Sequence, residues 1–135
     1  MTNEYMFVYG TLMRGFALND VMHEFCEFVS EARLPGYRLY RVRSVVFPTI
    51  LKQDDAEVIG ECWVLKSPIE MGLGWLDRVE GYNPTQPQSS MYNRVRVPIT
   101  RLDTGEKLSS WVYEAGTLAY HLGDAWPTNY YGEGQ

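Results

Sequence analysis

A chain of 135 residues, 45% hydrophobic and 21% charged, has the size of one ordinary globular domain with enough apolar side chains for a core, and no room for a second. The net charge of −5 argues against a nucleic-acid backbone as partner, because that binding needs clustered Lys and Arg and no long basic run occurs. No apolar stretch approaches the roughly 20 residues of a membrane helix, and Met1-Thr2-Asn3-Glu4 lacks the features of a signal peptide, so a soluble cytoplasmic protein with no membrane partner is expected.

Residues 4–9 read as a first strand, an apolar run that stops at Gly10. Gly10 permits a positive φ and carries no Cβ, so the amides that follow it are free to converge on a carboxylate or phosphate; a plain strand-ending turn fits the same residues. Asn19 caps a predicted helix over 19–29, where Val21, Met22, Phe25, Cys26, Phe28 and Val29 recur at helical spacing. Residues 32–42 read as extended with a break at Pro35-Gly36, and 44–51 as a short extended piece around Phe47-Pro48. Gln53-Asp54-Asp55-Ala56 reads as a loop. Residues 58–65 read as a strand in which Gly60 marks a bulge or a close backbone approach. Cys26 and Cys62 are too few for a zinc site or a disulfide framework and are expected as reduced core thiols.

Ser67-Pro68-Ile69-Glu70 offers a Ser cap, Pro at the first helical position and Glu at the third, which predicts a capping box and a helix that Gly81 closes. At about 100° per residue, Ile69, Leu73, Leu76 and Glu80 share one stripe, so a carboxylate ends the inward face, while Asp77 and Arg78 project away and read as solvated. Glu80 has two fates. It swings past the helix end into water, or it sits in a cavity where desolvation and the negative helix terminus raise its pKa and make it a general acid/base near neutral pH. Gly72 and Gly74 loosen this helix, each at roughly 0.8–1.0 kcal/mol relative to Ala.

Residues 92–102 alternate, with Val95, Val97 and Ile99 on an apolar side and Tyr92, Arg94 and Arg96 on a polar one. Asp103-Thr104-Gly105-Glu106 reads as a hairpin turn, and 108–114 returns with Trp111 and Tyr113 on one face. Several strands with two helices predict an α+β fold, a mixed, largely antiparallel sheet closing toward a barrel, with the aromatic tail over 118–131 covering an open edge. His23 and His121 stand apart from every acidic cluster, so no metal site is built on them.

Taken in order, Tyr9-Gly10-Thr11-Leu12, Gly15, Phe47-Pro48, Gly60-Glu61, Leu76-Asp77-Arg78-Val79-Glu80-Gly81-Tyr82, Tyr92-Asn93-Arg94 and Val112-Tyr113 resemble the gamma-glutamylcyclotransferase-like family, which includes gamma-glutamylamine cyclotransferases and AIG2-like proteins. The first motif alone is weak; its combination with Leu-Asp-x-x-Glu-Gly-Tyr and Tyr-x-Arg is specific. The resemblance implies a single domain over 1–135, a small mixed β-barrel with packed helices. It also implies that the Tyr9-Gly10-Thr11-Leu12 loop holds the α-carboxylate of a γ-glutamyl group through backbone amides, and that Glu80 is the acid/base. The reaction expected is intramolecular aminolysis to 5-oxoproline, which requires no metal, cofactor or covalent nucleophile.

Tyr92 and Tyr113 fit pocket-lining phenols and ordinary strand aromatics equally well. Arg94 is expected to neutralise Glu61 or order the pocket wall, and Arg14 to be a solvated loop charge. Two other functions stay open: a non-catalytic binding module for an amino-acid-like carboxylate, and an interaction protein using Trp126, Tyr130 and Tyr131. The departing amine, set by loops such as 83–90, and the oligomeric state are not legible in the sequence.

Overall fold

The structure is a computed structural model that describes residues 3–43 and 47–126. Its centre is β1 (Tyr5–Val8), which pairs antiparallel with β3 (Pro48–Leu65) and parallel with β5 (Lys107–Ala115). Strand β5 pairs antiparallel with β4 (Tyr92–Arg101), β4 with β2 (Cys26–Val42), and β2 with β3, so five strands close a barrel. A short β6 (Leu122–Ala125) adds to the far end of β2. Helices α1 (Asn19–Phe25) and α2 (Ile69–Val79) pack outside. The α+β barrel expected from the sequence is therefore the fold. Met6, Phe7 and Val8 are all buried, because β1 has strands on both edges and core or cover on both faces, which explains its uninterrupted apolar run.

Five local expectations change. Asn19 does not cap α1: Leu18 takes the cap position with no side-chain bond, and Asn19 is the first helical residue, its Nδ2 donating to Leu12 O. The first helix ends at Phe25 rather than continuing to Val29, since from Cys26 onward a two-residue alternation sets in: Ser30, Ala32 and Leu34 are buried while Glu27, Glu31 and Arg33 are exposed, as ladder pairing with β3 requires. The Gln53-Asp54-Asp55-Ala56 loop is an excursion inside the continuous β3. Lys52 stands opposite Tyr37 and Glu57 opposite Pro35, so these four residues face the single Gly36, whose φ of 82° makes the bend on the other strand. The capping box does not form: Pro68 itself takes the cap position of α2 and no side chain bonds there, because Ser67 lies one residue too early. Finally, Gly10 has no positive φ; its glycine is required because a Cβ would lie 2.9 Å from the Pro48 ring.

Other features stand as read. Gly81, with φ 66°, closes α2 in a Schellman arrangement, its N–H donating to Arg78 O at 3.2 Å and that of Tyr82 to Asp77 O at 2.8 Å. Gly60 is a close approach: a Cβ there would press on the Val8 carbonyl and lie 2.8 Å from the Phe7 ring. Gly72 lets α2 close on α1 and β3, with Phe25 and Leu65 at 3.1 and 3.2 Å from where its Cβ would be, whereas Gly74 faces open space. Cys26 and Cys62 are buried free thiols. Trp126 is buried under the Arg41 guanidinium, 3.8 Å from the ring centre. Tyr130 and Tyr131 lie outside the described residues, as does the 44–46 part of the short extended piece. No helix among the described residues is long and apolar enough to cross a membrane.

The glycines separate by what surrounds them. Gly60→Ala is expected to lower the unfolding free energy by more than about 2 kcal/mol, through overpacking against fixed backbone, and Gly74→Ala to raise it by roughly 0.8–1.0 kcal/mol. Urea midpoints of the two variants against the parent check both signs.

Candidate active site

The turn after β1 is held from behind. The Glu61 side chain, on β3, accepts the Arg14 N–H at 3.0 Å and the Trp63 indole N–H at 3.1 Å on Oε1, and the Arg14 Nε–H at 2.9 Å on Oε2. The guanidinium stacks 3.6 Å from the Phe28 ring centre. Arg14 is exposed, as expected of a solvated loop charge, but it is also paired, and Glu61 takes Arg14 rather than Arg94 as its partner. The turn's carbonyls are also occupied: Gly10 O accepts from Met13 N at 3.0 Å, Thr11 O from Leu18 N at 2.9 Å and Leu12 O from Asn19 Nδ2 at 2.8 Å. Among the described residues no acceptor takes the N–H of Gly10, Thr11 or Leu12. Donors without acceptors are costly unless a ligand or water completes them.

Those amides border a cavity of about 150 Å³ between the turn, the Phe47-Pro48 corner, the end of α2 and the start of β4. Tyr9, Gly10, Thr11, Leu12, Glu80, Tyr92 and Tyr113, all the site residues named from the sequence, line it. Leu18, Val79 and Met91 join them; their single apolar positions in loops or at a helix end carried no sequence signal.

Glu80 follows the last residue of α2, its backbone N–H donating to Leu76 O at 2.9 Å. Among the described residues its carboxyl has no hydrogen bond or ion pair, and burial pushes it up to about 7. The Tyr9 phenol is pushed well up, first by burial and then by Tyr92 and Glu80, and the Tyr113 phenol by burial, Asp77 and Glu80. The three tyrosines spend their protons on the protein: Tyr9 donates to Tyr113 O at 2.6 Å, Tyr92 to Pro48 O, and Tyr113 to Asp77 Oδ1 at 2.7 Å. They form walls, with their hydroxyl protons directed at protein acceptors.

Asp77 corrects the sequence reading most. It is 7% exposed, not solvated, and accepts the Arg94 Nε–H at 2.8 Å and the Tyr113 hydroxyl on Oδ1, and Arg94 Nη2 at 3.2 Å on Oδ2. Its place beside the apolar stripe of α2 turns it toward β4 and β5, where a buried acid persists only with such partners. The polar side expected for β4 is likewise covered at its first residues, with Tyr92 buried and Arg94 stacked 4.5 Å from the Trp111 ring centre. An Asp three residues before Glu80 and an Arg two after Tyr92 were the available signal. Among the described residues, no three His, Cys, Asp or Glu side chains are grouped to hold a metal ion.

Residues 6–131 match the family model described as gamma-glutamyl cyclotransferase, AIG2-like. The chain is similar to AIG2-like protein A of Arabidopsis thaliana, 33% identical over 108 residues, which are 80% of this chain and 59% of that protein. It is also similar to AIG2-like protein B of the same plant, at 31% identity, and covers 56% of its length, so the chain spans under two thirds of the curated relatives it matches. Among solved structures, an AIG2-like protein from Mus musculus superposes with a TM-score of 0.67 at 21% identity, over 93% of this chain and 89% of that one. One described as gamma-glutamyl cyclotransferase gives 0.64 at 19%, over 92% and 70%. At these identities the two structures show a shared fold.

The unpartnered carboxyl has a measurable signature. In the unfolded chain Glu80 titrates at its ordinary 4.5 and in the fold at about 7, so between these values the folded state binds the extra proton and stability falls as pH rises. Glu80→Gln lacks that loss. Its stability relative to the parent is expected to improve between pH 4 and pH 8 by about 3 kcal/mol at most, read from urea unfolding of both proteins at each pH; a constant difference would mean an ordinary, solvated carboxyl.

Proposed function

The chain belongs to the gamma-glutamyl cyclotransferase, AIG2-like family, and on that premise we propose that it cyclises a small γ-glutamyl compound to 5-oxoproline, releasing a free amine or amino acid. The observation that carries the proposal is the sharing of one cavity by the open amides of Gly10, Thr11 and Leu12 and a partly buried carboxyl raised to about 7. Amides without acceptors suit the substrate's α-carboxylate, and they bind it without bringing a cation that would pull down the neighbouring acid's pKa.

With the carboxylate so held, the α-nitrogen faces Glu80. The ionised Glu80 takes a proton from the α-ammonium, and the freed amine attacks the γ-carbonyl carbon of the same molecule. A carbon–nitrogen bond of the five-membered lactam forms, and the original amide bond breaks. The proton held by Glu80 passes to the departing nitrogen; Glu80, ionised again, takes the second proton that the attacking nitrogen must lose to become a lactam N–H, and that proton leaves with the amine as an ammonium, so the enzyme ends as it began and no water is consumed. Nucleophile and electrophile share one chain, so what the protein contributes is a folded conformer and one proton carrier. An acid near 7 suits both halves of that transfer, because it gives and accepts a proton at neutral pH with little driving force lost. Tyr9, Tyr92 and Tyr113 bound the conformer with ring faces.

Glu80→Gln is expected to reduce 5-oxoproline release by about 10²-fold or more while the protein stays folded, and the parent's kcat/KM to rise as pH passes through about 7 and then level. Ligand-induced thermal stabilisation without product across a γ-glutamyl panel would instead identify a binding module and overturn the proposal.

A further inference from the structure

Helix α2 turns one apolar stripe into the fold, yet its outer side is not uniformly polar. Met71, Trp75 and Val79 are 54%, 49% and 38% exposed, and their four-residue spacing lines them up as one ridge along the helix. Val79 also lines the cavity together with Leu18 and Met91, which are exposed as well, so the apolar strip runs from the first turn of α2 to the cavity mouth. Trp75 stacks on Phe25 of α1 with 6.2 Å between ring centres, and still keeps half its surface in water. Exposed apolar surface that is continuous rather than scattered marks a contact.

A second ridge lies beside the first. Glu70, Gly74 and Arg78 are exposed and share the same spacing, one residue earlier along the helix. The glycine is central, with Glu70 four residues before it and Arg78 four after. A Cβ on Gly74 would have nothing within 4 Å, so no packing within the chain requires this helix-weakening residue. Among the described residues Glu70 and Arg78 make no ion pair, and Arg78 overlies the Trp75 ring at 5.3 Å from its centre.

An acid and a base placed evenly on either side of bare backbone form a self-complementary row. Turned about a twofold axis at Gly74, the row meets its own copy antiparallel. Glu70 of each copy then faces Arg78 of the other, the two glycines let the backbones approach, and the Met71-Trp75-Val79 ridges flank the crossing. A twofold contact demands that residue i meet j while j meets i, whereas a surface shaped for a different protein has no reason to be symmetric in charge. Two copies at −5 repel at long range, but salt screens that repulsion beyond about 8 Å at physiological ionic strength, so the contacts at the crossing decide.

We propose that the exposed side of α2 is an interface through which two copies of this chain associate antiparallel, with Gly74 at the crossing and two Glu70–Arg78 pairs at its ends. The contact is independent of the proposed reaction, although Val79 brings it to the edge of the cavity. One helix face with its neighbours is smaller than the about 1,200–2,000 Å² of a stable interface, so the dimer is weak and is populated at high micromolar concentration.

Sedimentation velocity of the full chain from about 10 to about 1,000 µM tests this. The parent's mass is expected to climb from the 15.6 kDa of one chain toward twice that value. Glu70→Arg and Arg78→Glu each place like charges at both ends of the crossing, and each weakens association by at least about tenfold. Mixed one to one, the two variants oppose unlike charges again and associate to within about threefold of the parent. A dimer indifferent to both reversals, or a mixture of folded variants that stays monomeric, overturns the proposal. So does a parent that is monomeric at the highest concentration, the result expected if the strip serves a different protein. A measurement on the parent alone covers the case in which a reversal unfolds the chain: on dilution the amide resonances of residues 70–79 should move most, and changes confined to another face would overturn the interface.

Discussion

Asp77 is a carboxylate taken out of water, and the position of the pocket depends on how it is satisfied. Its two oxygens accept from Arg94 twice and from Tyr113 once, so the last turn of α2 is fastened to β4 and β5 together. Removing such a partner from a buried pair leaves an uncompensated charge, which is why the contact specifies geometry more strongly than it adds stability. Glu80 stands three residues on, as the cap that ends the same helix. Gly81 then ends the helix in the left-handed conformation, so the backbone that carries Glu80 is determined on both sides. Through Tyr113 the same knot reaches Tyr9, whose hydroxyl donates to the Tyr113 carbonyl beside the start of the amide-bearing turn.

The two acids at the C-terminal end of this helix illustrate how environment separates like groups. Asp77 is surrounded by donors and ion-paired; Glu80, three residues on, has no partner among the described residues and is pushed up by burial. Glu61 is a third case, a buried carboxylate employed as a brace that accepts three hydrogen bonds and so holds the turn whose own N–H groups stay open toward the cavity. Two carboxylates build the walls, and the one left over faces the cavity.

What was legible in the sequence was local and periodic. The apolar run ending at Gly10, the inward phase of Glu80, the close approach at Gly60 and the Gly81 stop each depend on a residue and its near neighbours along the chain. The resemblance then placed Tyr9 through Leu12, Glu80, Tyr92 and Tyr113 in one site, and all of them line the same cavity. What was not legible depends on partners across the barrel. Arg14 and Glu61 are 47 residues apart and Asp77 and Tyr113 36, so nothing near either side chain along the chain announced the pairing. The helix end at Phe25 failed for a related reason: Phe28 and Val29 fit a helical stripe as well as a strand, and pairing with β3 decided between them. At Ser67 the local signal was present, and Pro68 displaced it by one residue.

The central claim is that the amides after Gly10 receive the carboxylate of a glutamyl-derived ligand while Glu80 borders the same space. The most direct measurement is a titration of the protein with 5-oxoproline followed by amide resonances in solution. The N–H signals of Gly10, Thr11 and Leu12 should move most and saturate together with those around Glu80, at one ligand per chain. Saturable shifts confined to another face, with these amides unmoved, would contradict the carboxylate cradle and the mechanism built on it.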